Sequence, residues 1–208
     1  AVLVDGKRVG AVESWRFADA QSHTIEARFV KRAVLRFADV HAEDYFFPAV
    51  QWAAARRITT GLTDTDFGTE AVCTRAQIIT FLWRAADRPE ASDPAVRFTD
   101  VAESAYYRDA VLWAAENGIT TGVGDAVFAP DAPTTRGQVI TLLWRAANRP
   151  APESDQSFSD VADGAFYAEA VRWAAACGIT TGVSDTAFAP DAVCTRSQLV
   201  TLLYRALA

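Results

Sequence analysis

The sequence predicts a mainly α fold: three related repeats whose helices pack around a pseudo-threefold axis, with a short all-β segment ahead of them. Three observations carry this reading. Phe37, Phe98 and Phe158 each open an FxDV tetrapeptide, and Arg75, Arg136 and Arg196 recur with the same 61- and 60-residue spacings. Each repeat holds two stretches of helical periodicity joined by a Gly- and Asp-rich segment. A unit of that size is marginal alone, and three copies can share a core.

Residues 1–33 differ in kind from the three repeats. The stretches VLV, VGAV, SWRF and HTIEARF alternate or carry β-formers, and DGK and ADAQS separate them as turns. DGK between VLV and RVGAV is a hairpin signal. The segment therefore reads as the C-terminal part of a small β-module, with KRAVL as the link onward. Repeats then span 34–89, 90–150 and 151–208, and 34–208 is expected to fold as one unit.

The first helix of each repeat is clearest in AYYRDAVLWAAENGI (105–119), where Tyr107, Ala110, Val111, Ala114 and Ala115 make one apolar stripe. Gly118 and Gly178 supply helix C-termini, whereas the first repeat has Arg57 there and must either bend differently or strain an arginine. The loop GITTGVGDAVFAPDAP (118–133) follows, with Phe128 as its plug into the core and Phe67 and Phe188 as counterparts. The second helix is announced by a capping box: Thr135 as N-cap and Gln138 three residues on, matched by Thr74/Gln77 and Thr195/Gln198. Val139, Leu142, Leu143, Ala146 and Ala147 form its buried stripe.

Composition narrows the function. The chain has 208 residues, half of them hydrophobic, and a formal net charge of −6. That balance argues against nucleic-acid binding, which needs a net basic face. No apolar run is long enough to cross a bilayer, so no membrane insertion is expected. The opening residues begin in mid-pattern, and an export signal is expected in an upstream part of a longer parent. Cys73, Cys177 and Cys194 make no disulfide framework and no zinc spacing, and are expected to be free, with Cys73 and Cys194 held apart by threefold placement. With His23 and His41 the only histidines, no metal site and no cofactor are expected. Calcium stays open, although no DxDxDG loop is present.

One residue conflicts with the helix it begins. Arg75, Arg136 and Arg196 fall at the first helical position, where a cation opposes the helix dipole by about 0.3–1 kcal/mol. Either the side chain reaches water or pairs with a carboxylate such as Asp131 or Asp191, or it serves a purpose. Arg136 lies about 60° around the helix from Val139, toward the buried side. Its guanidinium, hanging over the free N–H groups of the first turn, would form an anion site suited to a carboxylate or phosphate. Trp52, Trp113 and Trp173 lie off the first helix's stripe; they either cover a neighbouring repeat or line a groove in which an indole stacks on a sugar. Trp83 and Trp144 read as packing residues, since Tyr204 replaces them in the third copy.

FxDV, GITTG, FAPDA and TTRGQ, in that order, resemble S-layer homology modules, which bacteria carry in tandem threes. The resemblance covers about four-fifths of the chain and implies a three-pronged spindle of helices around a central bundle. It also implies non-covalent attachment to secondary cell wall polysaccharide, often one bearing a pyruvate ketal whose carboxylate is the anion. Arg75, Arg136 and Arg196 match the arginine of the family's TRAE motif and are implied to bind the glycan. Gln77, Gln138 and Gln198 stand for its glutamate, keeping the cap but removing a charge. Gly61, Gly122 and Gly182 match a glycine of the interhelical loop, with turn geometry as the alternative reason for them. The first repeat departs furthest, with GTEA (68–71) in place of APDA, so its groove is expected to be altered. Residues 1–33 are similar to the ends of immunoglobulin-like or internalin-type β-repeats.

The function expected is that of a non-enzymatic anchor: an extracellular, monomeric fragment holding a surface protein on the cell wall through acidic polysaccharide bound between repeats. The alternative is a structural or protein-interaction module whose arginines pair internally.

Overall fold

A computed structural model describes residues 2–4, 7–10, 22, 24–27, 37–92, 98–152 and 158–208. The chain divides into two compact units, 1–34 and 35–208.

The first unit contains a three-stranded antiparallel sheet with β1 (Val2–Val4) between β2 (Lys7–Gly10) and β3 (Ile25–Ala27). Val4 faces Lys7 across the β1–β2 pair, and the register shifts between Val2 and Leu3. The DGK turn signal, SWRF and KRAVL fall wholly or mostly outside the described residues.

The described residues of the second unit form six helices, and the mainly α expectation holds. They are α1 (Phe47–Ala55), α2 (Arg75–Ala85), α3 (Arg108–Glu116), α4 (Arg136–Ala146), α5 (Ala168–Ala176) and α6 (Arg196–Leu207). The second helices of the repeats, α2, α4 and α6, contact one another at the centre. Around them the extensive pairings run between repeats: α3 lies on α2, α5 on α4, and α1 on α6. Each prong therefore takes the last helix of one repeat and the first helix of the next, and the third repeat closes cyclically onto the first.

This central position widens the buried stripe of the second helix. In α4 every residue from Val139 to Leu143 is buried, because packed neighbours meet more than one side of it, whereas Ala146 and Ala147 at its end are exposed. Thr141 is tolerated there because its hydroxyl donates to the Gly137 carbonyl at 2.7 Å; Thr80 and Thr201 do the same. Phe67, Phe128 and Phe188 are fully buried.

Backbone hydrogen bonds trace the pseudo-threefold axis. Cys73 N–H donates to the Cys194 carbonyl, Cys194 N–H to Thr134, and Thr134 N–H to Cys73, at 3.1, 2.9 and 3.2 Å, closing a ring of three. The expectation that Cys73 and Cys194 lie apart is thus corrected: threefold placement sets them around the axis, where both are buried and free. Gly118 and Gly178 end their helices with φ of 64° and 69°, and Arg57 takes the same left-handed conformation, φ 56°.

Candidate functional site

The capping boxes form as the sequence requires. In each second helix the Thr hydroxyl accepts from the N–H of the glutamine three residues on, and that glutamine's side chain accepts from the Thr N–H. Helices α2, α4 and α6 therefore begin at Arg75, Arg136 and Arg196.

The first-turn N–H groups are already engaged, which corrects the idea that they receive the anion. Arg136 and Gly137 N–H donate to the carbonyls of Ala192 and Pro190 at 2.9 Å, from the FAPDA loop of the following repeat. Arg75 and Ala76 use Ala132 and Pro130 in the same way, and Arg196 and Ser197 use Ala71 and Thr69. Only backbone carbonyls take part, so the change from APDA to GTEA leaves this junction intact.

The arginine side chains cross the same junctions. Nε of Arg75, Arg136 and Arg196 donates to the carbonyls of Phe128, Phe188 and Phe67 at 2.8, 2.9 and 2.9 Å. Each guanidinium also lies over the ring of the same phenylalanine, 5.0, 4.7 and 5.0 Å from its centroid. All three arginines are buried, and none forms an ion pair with a described carboxylate, Asp131 and Asp191 included. Burial holds the Arg75 guanidinium below its ordinary pKa; Asp100 opposes that effect, and nearby Arg145 adds to it.

Aspartates of the FxDV motif prepare the loops for this contact. Asp100 accepts the N–H groups of Phe128 and Ala129 at 2.8 and 2.7 Å, and Asp160 those of Phe188 and Ala189 at the same distances. Asp39 accepts three, from Phe67, Gly68 and Thr69. Burial raises the Asp100 carboxyl, but the backbone donors, with Arg75 assisting, bring it net below the ordinary carboxylate value.

Two grooves of one plan open where the repeats meet, beside a differently built one of about 270 Å³ between α2 and α3 that Trp83, Arg108, Leu112 and the carboxylates of Glu90 and Asp109 line. One, of about 330 Å³, has Arg75 at one side, the Thr120–Val123 loop at another, and Gln138, Thr141, Leu142 and Arg145 of α4 as its floor, with Phe166 at its edge. The other, of about 240 Å³, repeats the plan with Arg136, the Thr180–Val183 loop, Gln198, Thr201, Leu202 and Arg205 of α6, and Tyr45. The two grooves of this plan each draw their arginine from one repeat, their loop and floor from the next, and their aromatic edge from the remaining one. Neither lining contains a carboxylate.

Of the residues singled out in the sequence, the grooves bring together Arg75 with Gln138 and Gly122, and Arg136 with Gln198 and Gly182. Arg196 meets the first repeat through Thr59, whose hydroxyl accepts from its Nη2 at 3.1 Å. Gln77, in the same repeat, caps α2. The glycines also have a structural duty. Gly122 has φ +82°, and a Cβ there would stand 2.4 Å from the Val127 carbonyl oxygen; Gly61 and Gly182 are similarly confined. Trp52, Trp113 and Trp173 line neither groove. Trp52 meets Tyr204 edge-on at 5.7 Å, Trp173 is buried, and Trp113 packs half-buried against the core.

Two kinds of residue escaped the sequence reading, and two of each three, Arg145 with Arg205 and Phe166 with Tyr45, line the grooves. Arg84, Arg145 and Arg205 recur in WRA, WRA and YRA, but a basic residue in the last turn of a helix suits the dipole and attracts no notice. Tyr45, Tyr106 and Phe166 are the outward members of the aromatic pairs YF, YY and FY, and are more than half exposed. The partner of each pair, Phe46, Tyr107 or Tyr167, meets it edge-on.

Three interlocked helical repeats that open carboxylate-free, arginine-bearing grooves at two of their junctions define a tandem binding module. The S-layer homology domain model matches residues 36–79, 97–140 and 157–200, and the chain belongs to that family. Its modules bind cell wall polymers and anchor proteins to the cell wall, which places this chain at the cell surface. The chain is 32% identical over 115 residues to "Cell surface protein" of Thermoanaerobacter kivui, covering 53% of this chain and 15% of that one. It is 33% identical over 100 residues to "Surface-layer 125 kDa protein" of Lysinibacillus sphaericus, covering 48% and 8%. It is 30% identical over 179 residues to "Endoglucanase" of Bacillus sp. (strain KSM-635), covering 81% and 19%. The matches thus span a fifth or less of these relatives' own lengths.

Proposed function

We propose that the inter-repeat grooves bind an acidic polysaccharide of the cell wall, a pyruvate ketal being the anionic group, and that the chain is an anchor with no enzymatic step of its own. The observation that carries this reading is the pairing of Arg75 with Arg145 at a groove that no carboxylate lines. Two guanidinium groups without a counter-charge in the lining favour an anionic guest, and a planar fork suits a carboxylate. Arg136 and Arg205 offer the same pair in the second groove.

Phe166 and Tyr45 take the role that size and wheel position suggest for tryptophan, each giving an exposed ring against which a sugar face can rest. Gln138 and Gln198 use their side-chain oxygens in the caps, leaving the amide nitrogens as donors to hydroxyl groups. Hydrolysis of a glycosidic bond requires a pair of carboxyl groups flanking it, and these linings supply neither. Two modest sites on one body hold a polymer firmly, because the second contact is intramolecular.

Sedimentation with purified cell wall tests the reading. The Arg75→Gln/Arg136→Gln and Arg145→Gln/Arg205→Gln variants, with circular dichroism as the folding control, should each bind wall at least tenfold more weakly. Undiminished binding by folded variants, or binding that survives removal of the polysaccharide, would sink it.

A further inference from the structure

The three junctions are not equivalent, and the difference lies in the first repeat. At the position of Leu142 and Leu202, floor residues of the two grooves, the first repeat carries Phe81. The Arg196 guanidinium lies 5.0 Å from the Phe67 ring centroid and 5.3 Å from that of Phe81, so two aromatic rings contact it. Arg75 and Arg136 each meet one.

The hydrogen bonds follow the same order. Among the described residues the Arg136 side chain donates only through Nε, so neither terminal nitrogen has a hydrogen-bond acceptor there. Arg75 adds a long 3.4 Å bond from Nη2 to the Thr120 hydroxyl, whereas Arg196 makes the corresponding bond to Thr59 at 3.1 Å. Arg196 is also the least exposed of the three, at 3% against 7% for Arg75 and 6% for Arg136.

We propose that the Arg196 junction is closed to the acidic ligand by Phe81, so that the chain carries two working sites, the one at Arg136 being the more available. This rests on the polysaccharide-binding function proposed for the grooves. A bulky ring replaces the leucine that floors the other grooves and lies against the guanidinium that a guest would have to reach. Arg196 then serves the fold, fastening the third repeat to the first, and the cyclic closure of the module does not compete with ligand.

Residue-resolved NMR of the arginine Nε–Hε signals in the 208-residue chain tests this, with a methyl glycoside bearing a pyruvate ketal as probe. Arg75 and Arg136 should shift on titration while Arg196 stays at least about tenfold less responsive. In the Phe81→Leu variant, Arg196 should join them and the number of bound probes should rise from two to three. An equal response of Arg196 in the unaltered chain, or a variant still limited to two sites, overturns the closure alone. No response from any of the three arginines overturns the proposed function, and this inference with it.

Discussion

The Arg136 guanidinium stacks on the ring of Phe188 and donates from Nε to that residue's carbonyl, so one side chain grips one residue of the next repeat twice. A residue assigned to the ligand is therefore also a clip between repeats. Replacing it by alanine removes the cation–π contact and leaves a buried carbonyl without its donor, together costing roughly 2–4 kcal/mol. Arg136→Ala should lower the denaturation midpoint accordingly, whereas Arg145→Gln, at the groove's partly exposed floor, should shift stability by less than about 1 kcal/mol. Urea unfolding followed by circular dichroism checks both.

The FxDV aspartates predict an acid limit. Backbone donors outweigh burial and hold the carboxyls of Asp39, Asp100 and Asp160 below their ordinary value of 3.8. Their contribution to stability is complete above that value and is lost as pH falls through the lowered one. Asp100→Asn keeps the shape but weakens both N–H bonds and should cost about 1–3 kcal/mol. Its melting temperature at pH 7 should fall well below that of the unaltered chain, and the gap should narrow toward pH 2.

Much of this architecture is legible in the sequence. A capping box specifies a local geometry, so Thr135 and Gln138 could be assigned from their three-residue spacing, and the plug at Phe128 followed from one aromatic residue in a polar loop. Periodicity gave the apolar faces of the helices but not which helix each face meets. The pairing of α1 with α6 depends on loop geometry and cyclic closure, which local spacing does not encode. The charge of Arg136 marked it, but nothing local distinguished Arg145 from an ordinary helix-end cation. Tryptophan drew attention by size and wheel position, yet Trp52 faces Tyr204 of the third repeat, a partner visible only in three dimensions.

The cysteines at the axis predict selective reactivity. Burial pushes the Cys73 thiol up to about 12, with Arg196 opposing, and burial together with Cys73 does the same for Cys194, with Arg136 opposing. Cys177 is exposed. At pH 8 iodoacetamide should label Cys177 alone in the folded chain and all three cysteines in denaturant, as peptide mass mapping would record. Because the folded state favours the neutral thiols, their contribution is complete below about 9, the ordinary value, and is lost as pH rises toward 12. Cys73→Ser/Cys194→Ser should weaken the alkaline dependence in that window.

The aromatic edges allow binding to be separated from folding. Tyr45 and Phe166 are 61% and 63% exposed and stand at the rims of the two grooves, so their removal takes little from the core. A ring stacked on a sugar contributes on the order of 0.5–1.5 kcal/mol, or roughly two- to tenfold in affinity. Tyr45→Ala and Phe166→Ala should each weaken capture by purified wall by that factor, and the double variant by more than either, while thermal unfolding stays within a few degrees. Trp52→Leu should do the reverse: it opens the packing against Tyr204 and lowers the melting temperature, but leaves the wall affinity of the folded fraction unchanged. Loss of affinity in Trp52→Leu at full folding, with Tyr45→Ala and Phe166→Ala neutral, would return the sugar-stacking role to tryptophan.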